Sequence, residues 1–283
     1  MERTAVAFAP GHISGYFRRV DGDSPQTTGS CGVGIVIDRG VTARVTSAVH
    51  TSVVTIDQLP SGDPQTRYGS CLLEELFAGL DVRAAVETVA GLPIGAGFGM
   101  SAAAIFATLI AANAVFDLGM MPEELADRAH EAEITCNTGL GDVAAVNGGG
   151  IAVRTAPGIT GVCRRFYPEV ELCVVTFGSM FTPDIIGSPD LMRRISVAFP
   201  KDAPEDFSDF MRKSRAFAEA SGLIPTEIQP VLAACDEAGI PASMTMLGRG
   251  VFAAAPDACE VLAGFGRAVP LKVYPHGPVL LER

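Results

Sequence analysis

Short apolar runs separated by turn residues dominate the first half of the chain, a pattern typical of β-strands. Thr4–Ala9 is predicted as a strand that ends at Pro10-Gly11. Gly32–Ile37 and Val41–Val49 are predicted as a hairpin with Asp38-Arg39-Gly40 as its turn. Turn residues between apolar runs are the usual signal for such a reversal.

Helical periodicity begins after residue 99. Met100–Phe116 is almost wholly apolar and is predicted as a buried helix, because it is shorter than the roughly 20 residues that a membrane span needs. A second helix is predicted to open at Met121-Pro122-Glu123-Glu124, with proline in its first turn and carboxylates at its N-terminal end. Leu125, Ala129 and Ala132 continue its apolar face.

The remaining elements predict an α+β fold in two lobes. A domain boundary is predicted within residues 154–158, which gives domains 1–155 and 156–283. In the first half, further elements are predicted at Thr51–Ile56, Cys71–Ala78 and around Val82–Val89, with a loop at 60–64. The remaining predicted elements lie in the second half. They are a strand at Glu171–Phe177, helices at Pro204–Ser221 and Thr226–Ala238, a turn at Gly248-Arg249-Gly250, a helix at Asp257–Phe265 and a strand at Leu271–Tyr274.

Composition restricts the class of protein. The chain has 283 residues, of which 48% are hydrophobic and 19% charged, which is ordinary for a globular enzyme. A net charge of −11 argues against general binding to nucleic acid or to anionic membranes. Seven cysteines without a C-x-x-C pair predict free thiols, and with no signal-peptide core they predict a cytoplasmic protein. A homodimer is compatible with the sequence.

The glycine-rich run Pro93–Ala104 is the clearest chemical signal. It follows an apolar segment around Val86 and Val89 and leads into the apolar helix. Glycines let backbone N–H groups approach a ligand, and the start of the next helix favours an anion such as phosphate. The run has no lysine and therefore is not a Walker A loop. A glycine turn before a buried helix is the structural alternative.

The run resembles the P-x-x-x-G-[LF]-G-x-S-A-A motif of the GHMP kinases. Phe98 and Met100 stand where Leu and Ser are commoner, whereas the other motif positions agree. The resemblance implies a two-lobed kinase with a ferredoxin-like C-terminal lobe. It also implies that ATP binds the loop through Pro93, Gly95, Ala96, Gly97, Phe98, Gly99, Met100, Ser101 and Ala102.

A second cluster contains acidic residues, with Glu131 and Glu133 on the second helix and Asp142 after a glycine-rich turn. From the residues alone, Asp142 could simply cap the following short helix. The resemblance instead implies that Asp142 is the base that accepts the substrate proton. It implies that Ser101 and Glu133 hold Mg²⁺, with Glu131 as the alternative ligand.

A third cluster, Ala9–Phe17, is similar to the N-terminal element of the same family and has His12 where many members carry a basic residue. This opening and the segments at 138–143 and 243–250 resemble the archaeal pantoate kinases, which act in coenzyme A biosynthesis. The resemblance implies that His12 orients the substrate hydroxyl. Further substrate contacts are predicted from Ser14, Ser30, Thr138 and Asp142, and the arginine that binds the substrate carboxylate is left open among Arg18, Arg67 and Arg154.

Three alternatives stay open at this point. The acceptor could be another small hydroxy acid, such as homoserine, shikimate or mevalonate. The chain could be a non-catalytic sensor with the same fold, although a sensor has no need of a base such as Asp142. A dinucleotide-binding domain would use the G-x-G-x-x-A spacing that starts at Gly97, with Asp117 as its ribose contact.

Overall fold

Two β-sheets organise the chain, which a computed structural model describes over residues 2–57, 66–180 and 182–283. The loop predicted at 60–64 lies outside the described residues. The described strands are β1 Thr4–Val20, β2 Gly29–Ser47, β3 Ser52–Asp57, β4 Thr66–Tyr68, β5 Ala84–Ala90, β6 Ile151–Arg154, β7 Val162–Phe166, β8 Glu171–Ser179, β9 Ala242–Met244, β10 Gly248–Ala253, β11 Val269–Lys272 and β12 Val279–Glu282. The described helices are α1 Cys71–Leu80, α2 Met100–Phe116, α3 Pro122–Thr135, α4 Asp142–Val146, α5 Thr182–Ile186, α6 Pro189–Ala198, α7 Phe207–Ser221, α8 Gln229–Glu237 and α9 Ala258–Ala263.

The larger sheet has the order β12-β1-β2-β5-β3-β4, and β6 joins it through β2 and carries β7. Its described pairs are antiparallel except for β3 and β5, which are parallel. The smaller sheet has the order β11-β8-β10-β9. Its strands and helices follow each other as in a ferredoxin-like unit, with helices between β8 and β9 and α9 between β10 and β11. The predicted α+β fold is confirmed.

The two longest strands correct the sequence prediction. β1 continues through Pro10-Gly11, and β2 continues through Asp38-Arg39-Gly40, where a turn was predicted. Pro10 pairs with Gly40 and Gly11 pairs with Ile37, so Asp38 and Arg39 bulge out of the ladder. The turn-like residues therefore form a bulge, and the strands are joined instead by residues 21–28.

Helix α2 forms the centre of the larger lobe and has the predicted bounds. It is buried along most of its length and packs against β1, β2 and α3. A helix that is apolar on every side needs such surroundings. Its N-terminus lies directly after the glycine loop, and this packing fixes the position of that loop relative to the sheet.

The chain passes more than once between the two sheets. β7 and β12 both belong to the larger sheet, although they follow the predicted boundary at 155/156. The division into domains 1–155 and 156–283 stays a prediction. Across the described ranges, every helix falls short of the length or apolar content that a bilayer crossing requires.

The smaller lobe contains a disulfide that the cysteine spacing did not predict. Cys173 of β8 and Cys259 of α9 are bonded, with Cα atoms 5.3 Å apart. They are separated by 86 residues, so only the packing of α9 on β8 brings them together. The expectation that all cysteines are free thiols is therefore wrong for this pair, whereas the other described cysteines are free.

Candidate active site

The glycine loop joins β5 to α2, and three of its residues have a left-handed backbone conformation. Gly95, Gly97 and Gly99 have φ angles of 77°, 83° and 64°, in a region that residues with a Cβ rarely adopt. A Cβ at residue 97 would also lie 2.8 Å from the carbonyl oxygen of Met246. Glycine is therefore needed there for the backbone conformation and for the close approach of the smaller lobe.

Carbonyl groups of this loop are held by three other segments. The His12 backbone N–H donates to the Phe98 carbonyl at 2.9 Å, and the Met180 N–H donates to the Gly95 carbonyl at 3.0 Å. The Thr245 hydroxyl donates to the Ala96 carbonyl at 3.1 Å. Within the described residues, α2 begins without a side-chain cap. Its first N–H groups can therefore bind an anion.

A cavity lies between this loop, the turn at 138–142 and strand β1. The predicted site residues that line it are Ser14, Ser30, Gly95, Gly97, Phe98, Gly99, Met100, Ser101, Thr138 and Asp142. The other predicted site residues are not part of this lining; they are Pro93, Ala96, Ala102, His12 and Glu133. The structure thus brings together segments that are far apart in the sequence.

Asp142 begins α4 and points its carboxylate at the cavity. Its Oδ1 lies 2.6 Å from Nδ1 of His12, whose side chain is fully buried. Burial alone would raise the pKa of Asp142, but the hydrogen bond from His12 and the positive charge of Arg154 lower it overall. Asp142 is therefore ionised at neutral pH, as a base must be.

His12 is a neutral hydrogen-bond donor to Asp142. Burial is the main influence on His12 and lowers its pKa. A neutral ring that donates from Nδ1 has an unprotonated Nε2, and that nitrogen has no partner among the described residues. It faces the backbone of Gly34, where a Cβ would lie only 2.2 Å away. In this geometry His12 acts through Asp142, and its predicted contact with the substrate hydroxyl stays a prediction.

Glu133 is fully buried beneath the turn that carries Asp142. Its carboxylate accepts the backbone N–H of Asp142 at 2.9 Å and that of Val143 at 3.5 Å, and so it binds the start of α4. His130 lies one turn earlier on α3, with Nδ1 3.6 Å from Glu133 Oε2 and Nε2 3.0 Å from the Thr28 carbonyl. Burial lowers the pKa of His130, but the Glu133 carboxylate, the Thr28 carbonyl and Asp127 together raise it overall. Burial also raises the pKa of Glu133, and the interaction with His130 opposes that rise.

Arg154 supplies positive charge in the wall of the cavity, beside the turn that carries Asp142. It lies at the end of β6, is 3% exposed, and donates from Nη1 to the Gly141 carbonyl at 2.5 Å. Its Nε has no partner within the described part of the chain. Burial lowers the pKa of Arg154, while Asp142 and Glu133 raise it; a guanidinium nevertheless stays charged. Of the three arginines left open, it is the one that lines this cavity.

The predicted Mg²⁺ ligands offer oxygen atoms, which this ion prefers. Glu133 Oε1 and Asp142 Oδ2 converge below Gly139, at 2.3 and 3.2 Å from the point where a Cβ of that residue would lie. Ser101 lines the same cavity. The described residues contain no cluster of three or more His, Cys, Asp or Glu side chains suited to a metal. The Ser101 hydroxyl and the Glu133 carboxylate are thus donors of the kind that Mg²⁺ prefers, and their role as its ligands stays a prediction.

Sequence reasoning missed two parts of this site. His130 was not singled out, although its spacing of three residues from Glu133 places both on one face of α3. Met246 and Leu247 also line the cavity. Their segment was named only for its resemblance over 243–250, and only the packing of the two lobes brings it to the glycine loop.

Several known proteins are similar to this chain in sequence and in fold. Residues 67–150 match the GHMP kinases N terminal domain. A pantoate kinase of Methanospirillum hungatei JF-1 is 42% identical over 283 residues, which cover 99% of this chain and 98% of the relative. A pantoate kinase of Thermococcus kodakarensis is 31% identical, covering 89% and 87% of the two chains.

A solved structure of a phosphotransferase related to the CoA biosynthesis pathway superposes with a TM-score of 0.80 at 24% identity, covering 99% of both chains. At that identity the superposition shows a shared fold. The relatives that match almost the whole chain in sequence also show its family. Together with the glycine loop and the position of Asp142, they establish that this chain belongs to the pantoate kinase family of the GHMP kinases.

Proposed function

We propose that the protein transfers the terminal phosphoryl group of ATP to the primary hydroxyl of pantoate, forming 4-phosphopantoate for coenzyme A biosynthesis. Family membership makes it an ATP-dependent phosphotransferase that acts on a hydroxyl group. The observation that carries the proposal is an ionised Asp142 in a cavity between an anion-binding loop and the buried cation Arg154. The names of its relatives support pantoate as the acceptor.

In the proposed reaction, the substrate hydroxyl gives its proton to the Asp142 carboxylate. The resulting oxygen forms a bond to the γ-phosphorus, the bond from that phosphorus to the bridging oxygen breaks, and ADP leaves with the electron pair. The backbone of the glycine loop and the first turn of α2 hold the phosphates in line for this attack. Ser101 and Glu133 would hold Mg²⁺, which offsets phosphate charge when it is bound. His12 keeps Asp142 oriented and ionised.

The acceptor carboxylate fits the wall formed by Arg154, Ser14 and Ser30. Arg154 and Ser30 flank the same peptide, because a Cβ on Gly141 would lie 2.8 Å from Ser30 Oγ and 3.3 Å from Arg154 Cζ. A buried guanidinium with hydroxyls beside it suits a hydroxy acid. Arg18 and Arg67 do not line this cavity as the described residues form it.

The acceptor is tested by incubating the purified protein with Mg-ATP and pantoate, homoserine, shikimate or mevalonate in turn. We expect ADP release with pantoate and a phosphorylated product of matching mass. Release with another acid would keep the kinase assignment and replace the acceptor. Binding of ATP without turnover of any acid would favour the sensor.

We also propose that the chain divides into domains 1–155 and 156–283, and that the protein is located in the cytoplasm, where ATP is available.

A further inference from the structure

Leu247 has a backbone conformation that leucine rarely adopts. Its φ angle is 60°, in the left-handed region where residues with a Cβ are uncommon and where Asn and Asp are enriched. In the described part of the chain, the other non-glycine residues with a positive φ follow that rule, since they are Asp81, Asp117 and Asn137. Backbone outliers of this kind cluster at functional sites. Leu247 is therefore a candidate for a functional role.

Hydrogen bonds on both sides of Leu247 hold it in this conformation. The Gly248 N–H donates to the Thr245 carbonyl at 3.1 Å, which closes a β-turn with Leu247 as its third residue. Because Leu247 has a positive φ and Met246 does not, the turn has the φ pattern of type II, which favours glycine or asparagine at the third residue. The Thr245 N–H also donates to the Gly250 carbonyl at 2.9 Å. The hairpin between β9 and β10 thus imposes the conformation.

This turn lies against the glycine loop, at the cavity of the candidate active site. The Thr245 hydroxyl donates to the Ala96 carbonyl, and a Cβ on Gly248 would clash with the same oxygen. Leu247 lines the cavity and is partly exposed, whereas the other apolar side chains of the lining belong to residues that are at most 7% exposed. Leu247 is therefore the apolar side chain of this lining that a bound molecule can reach.

The chemistry of the proposed reactants indicates what Leu247 would contact. The phosphates are charged, and the hydroxyl and carboxylate of the acceptor are matched by Asp142 and Arg154. Pantoate also has two methyl groups, on the carbon next to its hydroxymethyl group. They must lie within a few bonds of the transferred phosphoryl group, and hence near the glycine loop on which the turn rests. Burial of methyl groups against an aliphatic side chain is favourable.

We propose that Leu247 is a specificity-determining residue, whose side chain packs on the methyl groups of the acceptor and selects a branched hydroxy acid over an unbranched one. This role rests on the proposed function, because it concerns the same acceptor. It also gives a reason for leucine at a position where glycine or asparagine would be less strained. Neither of those residues would cover the methyl groups with an apolar side chain.

The test compares kcat/KM for pantoate with kcat/KM for 2,4-dihydroxybutanoate, which lacks both methyl groups. We expect the wild type to prefer pantoate by about tenfold or more, the usual effect of a methylene group in an apolar pocket. Leu247→Asn keeps a branched side chain that suits the left-handed backbone. It should therefore melt no lower than the wild type and yet lose most of the preference. Leu247→Met keeps an apolar side chain and should retain most of it.

Asp81→Asn is the matched control, at an exposed left-handed residue that ends α1 outside the cavity, and it should keep the wild-type preference. If Leu247→Asn does not fold, Leu247→Gly replaces it. A preference that persists in the Leu247 variant would overturn the inference and leave pantoate as the acceptor. Equal use of the two acids by the wild type would also overturn it, with the kinase assignment intact. If the wild type does not turn over pantoate, the proposed function is refuted, and the inference with it.

Discussion

Asp142 is the residue on which turnover should depend most. Asp142→Asn removes the base and keeps its shape, so we expect kcat to fall by about 10²- to 10⁴-fold. ATP affinity should stay near that of the wild type, because the phosphates bind the glycine loop. ADP release and calorimetric titration with ATP measure the two quantities. Asp127→Asn, an exposed carboxylate of α3, is the control. Turnover within a few-fold of the wild type would exclude Asp142 as the base.

His12 should control the pH at which Asp142 works. Asp142 must be ionised, and His12 holds its pKa below the usual value, so activity is lost as the pH falls through that lowered pKa. His12→Leu removes the donor and should move the acid limb of kcat/KM to higher pH. His12→Asn keeps an N–H donor and should move it less. An acid limb that stays in place in both variants would show that His12 does not act through Asp142.

Arg154 should affect substrate binding more than chemistry. Arg154→Gln should raise the KM for pantoate by about 10- to 100-fold, which corresponds to the roughly 1.5–3 kcal/mol of a hydrogen bond to a charged group. Arg154→Lys keeps the positive charge and should lose less. Arg67→Gln, at an exposed position on β4, is the matched control. A fall in kcat with the KM unchanged would contradict this role.

The glycine loop has conformational demands that a glycine within a helix, such as Gly79, does not share. Gly97→Ala should destabilise the protein by about 1–3 kcal/mol and raise the KM for ATP, since residue 97 has a φ of 83° and approaches Met246 closely. Gly79→Ala in α1 should be neutral or stabilising, because a Cβ there meets nothing within 4 Å. Urea denaturation and ATP-dependent kinetics measure both effects. Equal stability of the two variants would contradict this account of the loop.

Elements dominated by local chemistry were predicted well. α2 has the predicted bounds and α3 begins at the predicted proline. α4 begins at Asp142, one residue before the predicted start, so Gly141 and not Asp142 is at the cap position. Each has a signal within a few residues, namely an unbroken apolar run, a proline followed by carboxylates, or a glycine turn. The hairpin at Asp38–Gly40 was wrong because turn residues also suit a bulge, and pairing with the distant strand β1 decides between the two.

The disulfide makes the stability of the whole molecule sensitive to reductant. Cys173–Cys259 closes a long loop that holds much of the smaller lobe, so reduction should lower the free energy of unfolding by about 2–4 kcal/mol. Thermal unfolding with and without dithiothreitol measures this difference. Cys173→Ala/Cys259→Ala should be insensitive to reductant, and Cys71→Ala, at an exposed free cysteine, should behave as the wild type. Equal melting temperatures with and without reductant would contradict the bond.

The candidate site is assembled from segments that lie far apart along the chain. His12 and Asp142 are 130 residues apart, and Thr245 lies 149 residues from its partner Ala96. The residue types and the family motif were sufficient to predict the fold class, the glycine loop and Asp142. They could not show that His12 contacts Asp142 instead of lining the cavity, or that Glu133 binds the backbone of α4.

There is a physical reason why some features could be predicted from the sequence and others could not. Helix starts, glycine conformations and apolar runs depend on neighbouring residues, so the chain itself specifies them. The choice of Arg154 over Arg18 and Arg67 depends on burial and on partners that only folding brings near. The same is true of the pKa values of His12 and Asp142. The sequence is therefore informative about which groups are present, whereas their charge, accessibility and pairing follow from the packing of the larger sheet on α2 and of the smaller lobe on the glycine loop.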